Sequence, residues 1–343
     1  MITEETDNSC TISGQQLTVL IATHDQAREL ERNLPLLMEQ HYEPGFEVIV
    51  VDESSTDDTE EVFKQLKSRY SNFYATYIPA SSHYVSRRKL SLTIGMKAAH
   101  YEWIIITEPN CKPNSEKWLS TLSEVCTNDY DVVCGYTGYN TDECPYYSFR
   151  RIMGWWRQGH KPYRYDGANL AIRKSVFMAR NGFLHNLQLL RGEYDFLVNE
   201  TPCDRIAIMK EPEGCMCQEK PSEREWHNAQ LFALDTRKHL NRKFMPRLRS
   251  LTGRLFILLS YLCMIAGIGY AVYMKNSVFI GIASCALFVF IAMRILWMNH
   301  IMMSYNEHIS WWKLPFFSIK TPFTDLYLWL SYKMANRNDF TRK

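Results

Sequence analysis

Glu108 and Asn110 stand one residue apart where an apolar run, Ile104-Ile105-Ile106-Thr107, comes to its end. Hard divalent cations take oxygen ligands, and a Glu carboxylate beside an Asn carbonyl can supply two of them to Mg²⁺ or Mn²⁺. Two other apolar runs end in polar sequence of the same kind. Thr23, His24 and Asp25 follow Leu17-Thr18-Val19-Leu20-Ile21, and Asp52-Glu53-Ser54-Ser55-Thr56-Asp57-Asp58-Thr59 follows Phe46-Glu47-Val48-Ile49-Val50-Val51. Any one of these stretches alone reads as ordinary turn and capping sequence. Ligands of an open parallel sheet bind outside the carboxyl ends of its strands, so the three ends together form one converging candidate site.

The elements that would bring those ends together are legible in the same stretch. From Leu17 to about Val133, short β-branched runs alternate with amphipathic segments, the pattern of parallel strands joined by crossover helices, and the fold class is α/β. The first three runs are nearly unbroken apolar, as strands buried on both faces must be, and Asp131-Val132-Val133 reads as a fourth. Leu30, Leu34 and Leu37 recur at helical spacing after Asp25. Val62, Phe63 and Leu66 do so after Asp57, whose Glu60 three residues on fits an N-terminal cap. Leu92, Met96 and Ala99 mark a third helix. From about Asp142 to Glu219 the sequence is aromatic-rich and less periodic; Gly167 to Ile172 is its clearest strand-like piece, and Arg224 to Asn241 reads as a helix.

From Leu17 to about Gln230 the chain resembles the family 2 glycosyltransferases, whose nucleotide-sugar-binding fold is called GT-A. The resemblance rests on the opening strand and loop, Leu17 to Asp25, and on Val50-Val51-Asp52-Glu53-Ser54-Ser55-Thr56-Asp57-Asp58-Thr59, similar to the family's Val-Asp-Asp-Gly-Ser-Thr-Asp-x-Thr loop. It implies that Thr23, Asp25, Asp52 and Glu53 hold the nucleoside. It also sets Arg87-Arg88-Lys89 on a basic segment lying against the nucleotide, so Arg87 and Lys89 would face the diphosphate. Glu108-Pro109-Asn110 falls on the family's metal-carrying Asp-x-Asp; with one formal charge fewer and one longer arm, it implies a weakly bound metal. Asp166-Gly167-Ala168-Asn169-Leu170-Ala171-Ile172-Arg173 resembles the Gly-x-Asn-x-Ala-x-Arg strand beside the donor sugar, which places Asn169 there; Gly167 permits close backbone approach. Arg191-Gly192-Glu193-Tyr194-Asp195-Phe196 resembles the Glu-Asp-x-Asp segment that carries the base, with Glu193 at that position and Asp195 as the alternative. The match of Arg224-Glu225-Trp226 to the Gln-x-x-Arg-Trp of membrane polysaccharide synthases is incomplete. His24, His83 and His227 lie near these segments and are read as structural.

Charge and composition bound the partners. The chain has 343 residues, with 39 Lys plus Arg against 37 Asp plus Glu, and a net charge of +2 gives no field that would recruit nucleic acid. The 10 cysteines have no metal spacing and read as free thiols. Met1 to Gln16 is a polar tail without a secretory pattern, which leaves the catalytic part in the cytoplasm. Residues 255–274 are 20 consecutive uncharged positions and 276–293 are 18 more, each near the roughly 20 that span a bilayer as a helix. Arg237, Lys238, Arg242, Lys243, Arg247, Arg249 and Arg254 precede this pair, and Lys275 stands alone in its turn, so both ends face the cytoplasm. The tail beyond Arg294 mixes Trp311, Trp312, Phe316, Phe317, Phe323, Tyr327, Trp329 and Tyr332 with lysines, as a segment in the headgroup zone or one packed on the catalytic domain would.

The expected architecture is a polar tail (1–16), a GT-A domain of mostly parallel sheet with helices on both faces (17–235, with its nucleotide half at 17–135 and acceptor half at 136–235), a basic segment (236–254), a C-terminal transmembrane helical hairpin (255–298) and an amphipathic tail (299–343). The expected protein is a multi-pass inner-membrane glycosyltransferase. Its partners are a nucleotide-diphosphate sugar donor, a lipid-linked or saccharide acceptor of the cell envelope, and the membrane. The alternative is a silent nucleotide-sugar-binding subunit, motivated by Glu-Pro-Asn in place of Asp-x-Asp; a processive synthase is disfavoured by only two spans.

Overall fold

The computed structural model describes residues 14–79, 86–159, 162–241 and 244–335; the side chains of 244–255, 257 and 258 lie outside that description, as do His83, Arg242 and Lys243. Its first half runs β1 (Leu17–Thr23), α1 (Ala27–Met38), β2 (Phe46–Asp52), α2 (Thr59–Arg69), β3 (Phe73–Tyr77), α3 (Arg87–Ala98), β4 (Trp103–Thr107), β5 (Cys111–Pro113), α4 (Trp118–Val125) and β6 (Val132–Cys134). There follow β7 (Thr137–Tyr139), α5 (Pro145–Gln158), β8 (Leu170–Arg173), α6 (Lys174–Ala179), α7 (Glu193–Asn199), β9 (Ile206–Ile208), β10 (Met216–Gln218), α8 (Glu223–His239), α9 (Phe244–Tyr273), α10 (Ser277–Met303) and α11 (Lys313–Met334).

The apolar runs form strands because both of their faces are covered. One sheet is ordered β3-β2-β1-β4-β8-β6-β9, with β8 antiparallel to both its neighbours and the other pairs parallel. A small second sheet, β5-β10-β7, folds over its carboxyl edge. On one face Val19, Ile21, Val48 and Val50 pack with Leu30, Leu34, Phe63 and Trp118 of α1, α2 and α4. On the other Leu20, Ala22, Ile49 and Val51 meet Leu92 and Met96 of α3 and Phe149 and Ile152 of α5, as the period of two requires. In register, Thr23 lies opposite Asp52 and Ile21 opposite Thr107, which brings the three polar strand ends level.

Two local readings change. β3, an edge strand with one half-covered face, has too little apolar alternation to stand out in the sequence. At the start of α2 the cap differs in detail: Asp58 flanks the helix without a side-chain bond, while Asp57 Oδ2 accepts from Ala27 N–H at 2.9 Å and Oδ1 from the Thr59 hydroxyl, so one carboxylate serves the starts of both α1 and α2.

The C-terminal helices pair as a hairpin. Lys275 adopts φ 52° in the turn, and Asn276 Oδ1 caps α10 by accepting from Val278 N–H at 3.1 Å and Phe279 N–H at 3.2 Å. α10 is long and apolar enough to cross a membrane, and Leu259–Tyr273 of α9 is a shorter apolar stretch. Phe279, Ile282, Phe288 and Leu296 are exposed, whereas Met298, Ile301 and Met302 at the end of α10 enter the catalytic core. α11 docks on the catalytic domain through Arg150–Asp325 at 2.8 Å and a bond from the Tyr332 hydroxyl to Asp235 at 2.6 Å. Its other face exposes Phe316, Phe323 and Tyr327, and Trp311 just before it is exposed as well.

Candidate active site

The loop after β2 is shaped by its own polar residues. Asp52 is buried and both its oxygens accept from Ser55, one from the backbone N–H at 3.0 Å and one from the hydroxyl. Asp25 takes φ 50°, accepts from Thr56 N–H at 2.7 Å and donates its own N–H to Ser55 Oγ at 2.8 Å. That Thr56 N–H lowers the Asp25 pKa. Thr23 Oγ1 is buried beside this loop with no partner among the described residues. The resulting rim is a row of short oxygens and turned-out amides over the ends of β1 and β2.

The N-terminus of α3 closes the rim. Arg87 donates to Ser54 Oγ at 2.9 Å, while Arg88 donates to Glu108 Oε1 at the end of β4. That oxygen also accepts the Tyr194 hydroxyl at 2.7 Å, so α3, β4 and α7 meet on one carboxylate. Burial works against the charge of Arg88, but Glu108, Tyr194, Glu193 and Glu53 surround it and hold it firmly protonated. Burial raises the Glu53 carboxyl pKa, and Arg88, Ser91, Arg191 and His24 oppose the rise. Behind Glu108, Asn33 of α1 donates to Pro109 O at 2.9 Å and to Glu219 at 2.7 Å, and Glu219 N–H donates to Asn110 O at 2.9 Å. The Glu-Pro-Asn turn is thereby clamped between α1 and β10.

A second wall is acidic and basic together. Gln218 donates to Asn110 Oδ1 at 3.3 Å and accepts from Arg151 at 2.7 Å, and Arg151 in turn faces Asp166. Asp195 Oδ1 accepts from Tyr165 N–H at 2.9 Å, and burial lifts its pKa to about 6 against the pull of Arg237. A carboxylate that titrates near neutrality is suited to take a proton from a hydroxyl.

Residues 18–183 match the family model described as Glycosyl transferase family 2. Residues 18–183 form a glycosyl transferase family 2 domain. The solved structure of the mannosyltransferase PcManGT from Pyrobaculum calidifontis, in complex with GDP-Man and Mn²⁺, superimposes with a TM-score of 0.54 at 14% identity, covering 85% of this chain and 86% of that one. S. aureus TarS 1-349 in complex with UDP-GlcNAc aligns with a TM-score of 0.46 at 13% identity over 64% of this chain and 66% of that one. A search of curated proteins finds no match. The GT-A fold and the assignment as a glycosyltransferase therefore stand.

Within this glycosyltransferase the expected site residues divide. Thr23, Asp25, Asp52, Glu53, Arg87, Glu108 and Asn110 gather along the strand ends. Lys89 does not join them: it is fully buried, and its ammonium donates to Asn186 O at 2.5 Å and Leu189 O at 2.6 Å, because successive helical residues turn by about 100° and Lys89 points inward. Asn169 is also fully buried, its Oδ1 accepting from Trp118 Nε1 at 3.2 Å and its Nδ2 donating to Gly214 O at 2.8 Å, which makes it a core bracket rather than a sugar contact. Glu193 is 4% exposed and lies close to Lys89, whereas Asp195 holds the Tyr165 N–H and lies close to Asp166. Arg88 and Tyr194 were not singled out from the sequence. Both lie inside quoted segments, and only the rotation of α3 and α7 selects them. Among the described residues the cysteines are unpaired, as expected.

Proposed function

We propose that this glycosyltransferase moves a sugar from a nucleotide-diphosphate donor to a lipid-linked or envelope-saccharide acceptor, with inversion, from a cytoplasmic site held at the inner membrane by the α9–α10 pair. The observation that carries the reading is the shared Glu108 oxygen: it joins the basic start of α3 to the strand end and to the element bearing Asp195. Thr23, Asp25, Asp52 and Glu53 border the nucleoside end, and Arg87 and Arg88 stand where a diphosphate would need cations. Asp195 takes the proton of the acceptor hydroxyl as its oxygen bonds the anomeric carbon, and the nucleoside diphosphate leaves with the electron pair of the broken bond.

Glu108 and Asn110 offer two hard oxygens, and among the described residues no three His, Cys, Asp or Glu side chains form a metal cage. Such a pair suits Mg²⁺ or Mn²⁺ when donor phosphates and water complete the shell, and the ion would add positive charge against the leaving diphosphate. Arg88 competes for Glu108, so weak binding is expected. The Mn²⁺ and GDP-Man in PcManGT support both the ion and the donor class.

Exposed apolar side chains along α10 and on the outer face of α11 support membrane attachment, with α11 in the headgroup zone. Membranes carrying the chain, incubated with a panel of labelled sugar nucleotides, should yield a lipid-extractable product with inverted anomeric configuration by NMR. Retention would refute the single-displacement step, and transfer only to soluble sugars would refute the lipid-linked acceptor.

A further inference from the structure

Arg164 and Arg237 lie near Asp166 and Asp195 without a direct ion pair of their own among the described residues. Arg164 immediately precedes Tyr165, whose N–H holds Asp195, and Arg237 follows Thr236, which packs against Gly192 at the start of α7. Among the described residues neither guanidinium makes a hydrogen bond or an ion pair, and the Nε of each is buried and unpartnered. Arg150, nearby, has its Nη2 on Asp325 but its Nη1 buried and free. Asp166 and Asp195 are the carboxylates in electrostatic reach; Asp195 is tied to the Tyr165 N–H, and Arg151 beside Asp166 already holds Gln218 and the Tyr139 hydroxyl. Burial and the Arg164 charge together bring the Arg237 pKa down to about 10. Two guanidinium groups near one another in a partly buried place, with donors left over, fit a ligand that brings acceptor oxygens and negative charge.

We propose that Arg164 and Arg237 form an oxyanion subsite that seats a phosphate group of the acceptor beside Asp195. A phosphate matches two planar donor forks and carries close to two negative charges near neutral pH. The position favours a lipid phosphate: Arg237 lies in the last turn of α8, which leads into α9, and Tyr332 of α11 reaches Asp235 one half-turn earlier. The subsite leaves the acceptor hydroxyl free to face Asp195, and it rests on the glycosyltransferase reading above.

The test is calorimetry on the full chain in detergent, with farnesyl phosphate, farnesol and inorganic phosphate as probes, and with UDP and GDP titrated separately. Farnesyl phosphate should bind at least about tenfold more tightly than farnesol, and Arg164→Gln or Arg237→Gln should weaken it by roughly 10- to 100-fold, the range of one charge-assisted hydrogen bond. Nucleotide binding should stay within about twofold in both variants, which also shows them folded. Binding of inorganic phosphate with the same arginine dependence and no gain from the farnesyl chain would keep the subsite and make its source a soluble phosphorylated acceptor. Equal binding of farnesol and farnesyl phosphate, or unchanged affinity in the double variant, overturns the subsite. A wild-type chain that binds no nucleotide would refute the donor reading instead.

Discussion

Arg88 and Glu108, twenty residues apart in sequence, form a nearly buried ion pair whose carboxylate oxygen also accepts the Tyr194 hydroxyl. The cation nearest the candidate metal ligand is therefore a protein side chain. Arg88→Gln should weaken nucleoside-diphosphate binding without metal by roughly tenfold, and it should enlarge the gain that Mn²⁺ confers, because Glu108 is released. Calorimetry with UDP and GDP, with and without Mn²⁺, reads both; an unchanged metal gain would show that Arg88 does not compete.

Asn110→Asp returns one negative charge to the turn. Metal affinity in the presence of nucleotide should rise, by about tenfold for a single added carboxylate ligand at partial burial. Manganese titration followed by nucleotide-dependent binding checks this, and no change would remove Asn110 from the cation's surroundings.

Burial lifts the Asp195 pKa to about 6, above the usual 3.8. A base must be ionised, so turnover should be full above that value and fall as pH drops through about 6. Asp195→Asn should lower kcat by at least about a hundredfold and abolish the acidic limb, with donor affinity preserved, whereas Glu193→Gln should retain the limb. A pH profile of initial rates distinguishes the two carboxylates.

Lys89→Met should cost about 1–3 kcal/mol of stability, since the carbonyls of Asn186 and Leu189 lose their donor. Burial depresses the Lys89 pKa to about 8, below its ordinary 10.5. Between those values the unfolded chain binds more protons than the folded one, so this group makes stability rise with pH. The gap between wild type and variant should therefore widen from pH 8 to 10 in denaturant melts, while nucleotide affinity of the folded variant stays unchanged.

The first half of the fold was open to reading because strands buried on both faces need unbroken apolar runs, and β1, β2 and β4 have them. β3 escaped because an edge strand needs no such run, and β8 entered the sheet antiparallel, a direction that composition does not encode. In the site, Glu108, Asn110 and the loop after β2 were recognisable because strand ends supply ligands by position. Lys89 and Asn169 were misplaced for the opposite reason: each stands next to site residues in sequence, but its side chain turns into the core.

From the sequence alone came the α/β class, the family, the strand-end oxygens and the apolar C-terminal pair, since each depends on residue types repeating at short range. Tertiary structure decided which of Arg87, Arg88 and Lys89 meets Glu108, that Asp195 rather than Glu193 holds the Tyr165 N–H, and that Arg164 and Arg237 stand near Asp166. Those choices depend on helix rotation and on contacts between residues as far apart as Lys89 and Leu189, 100 positions, which no local pattern carries.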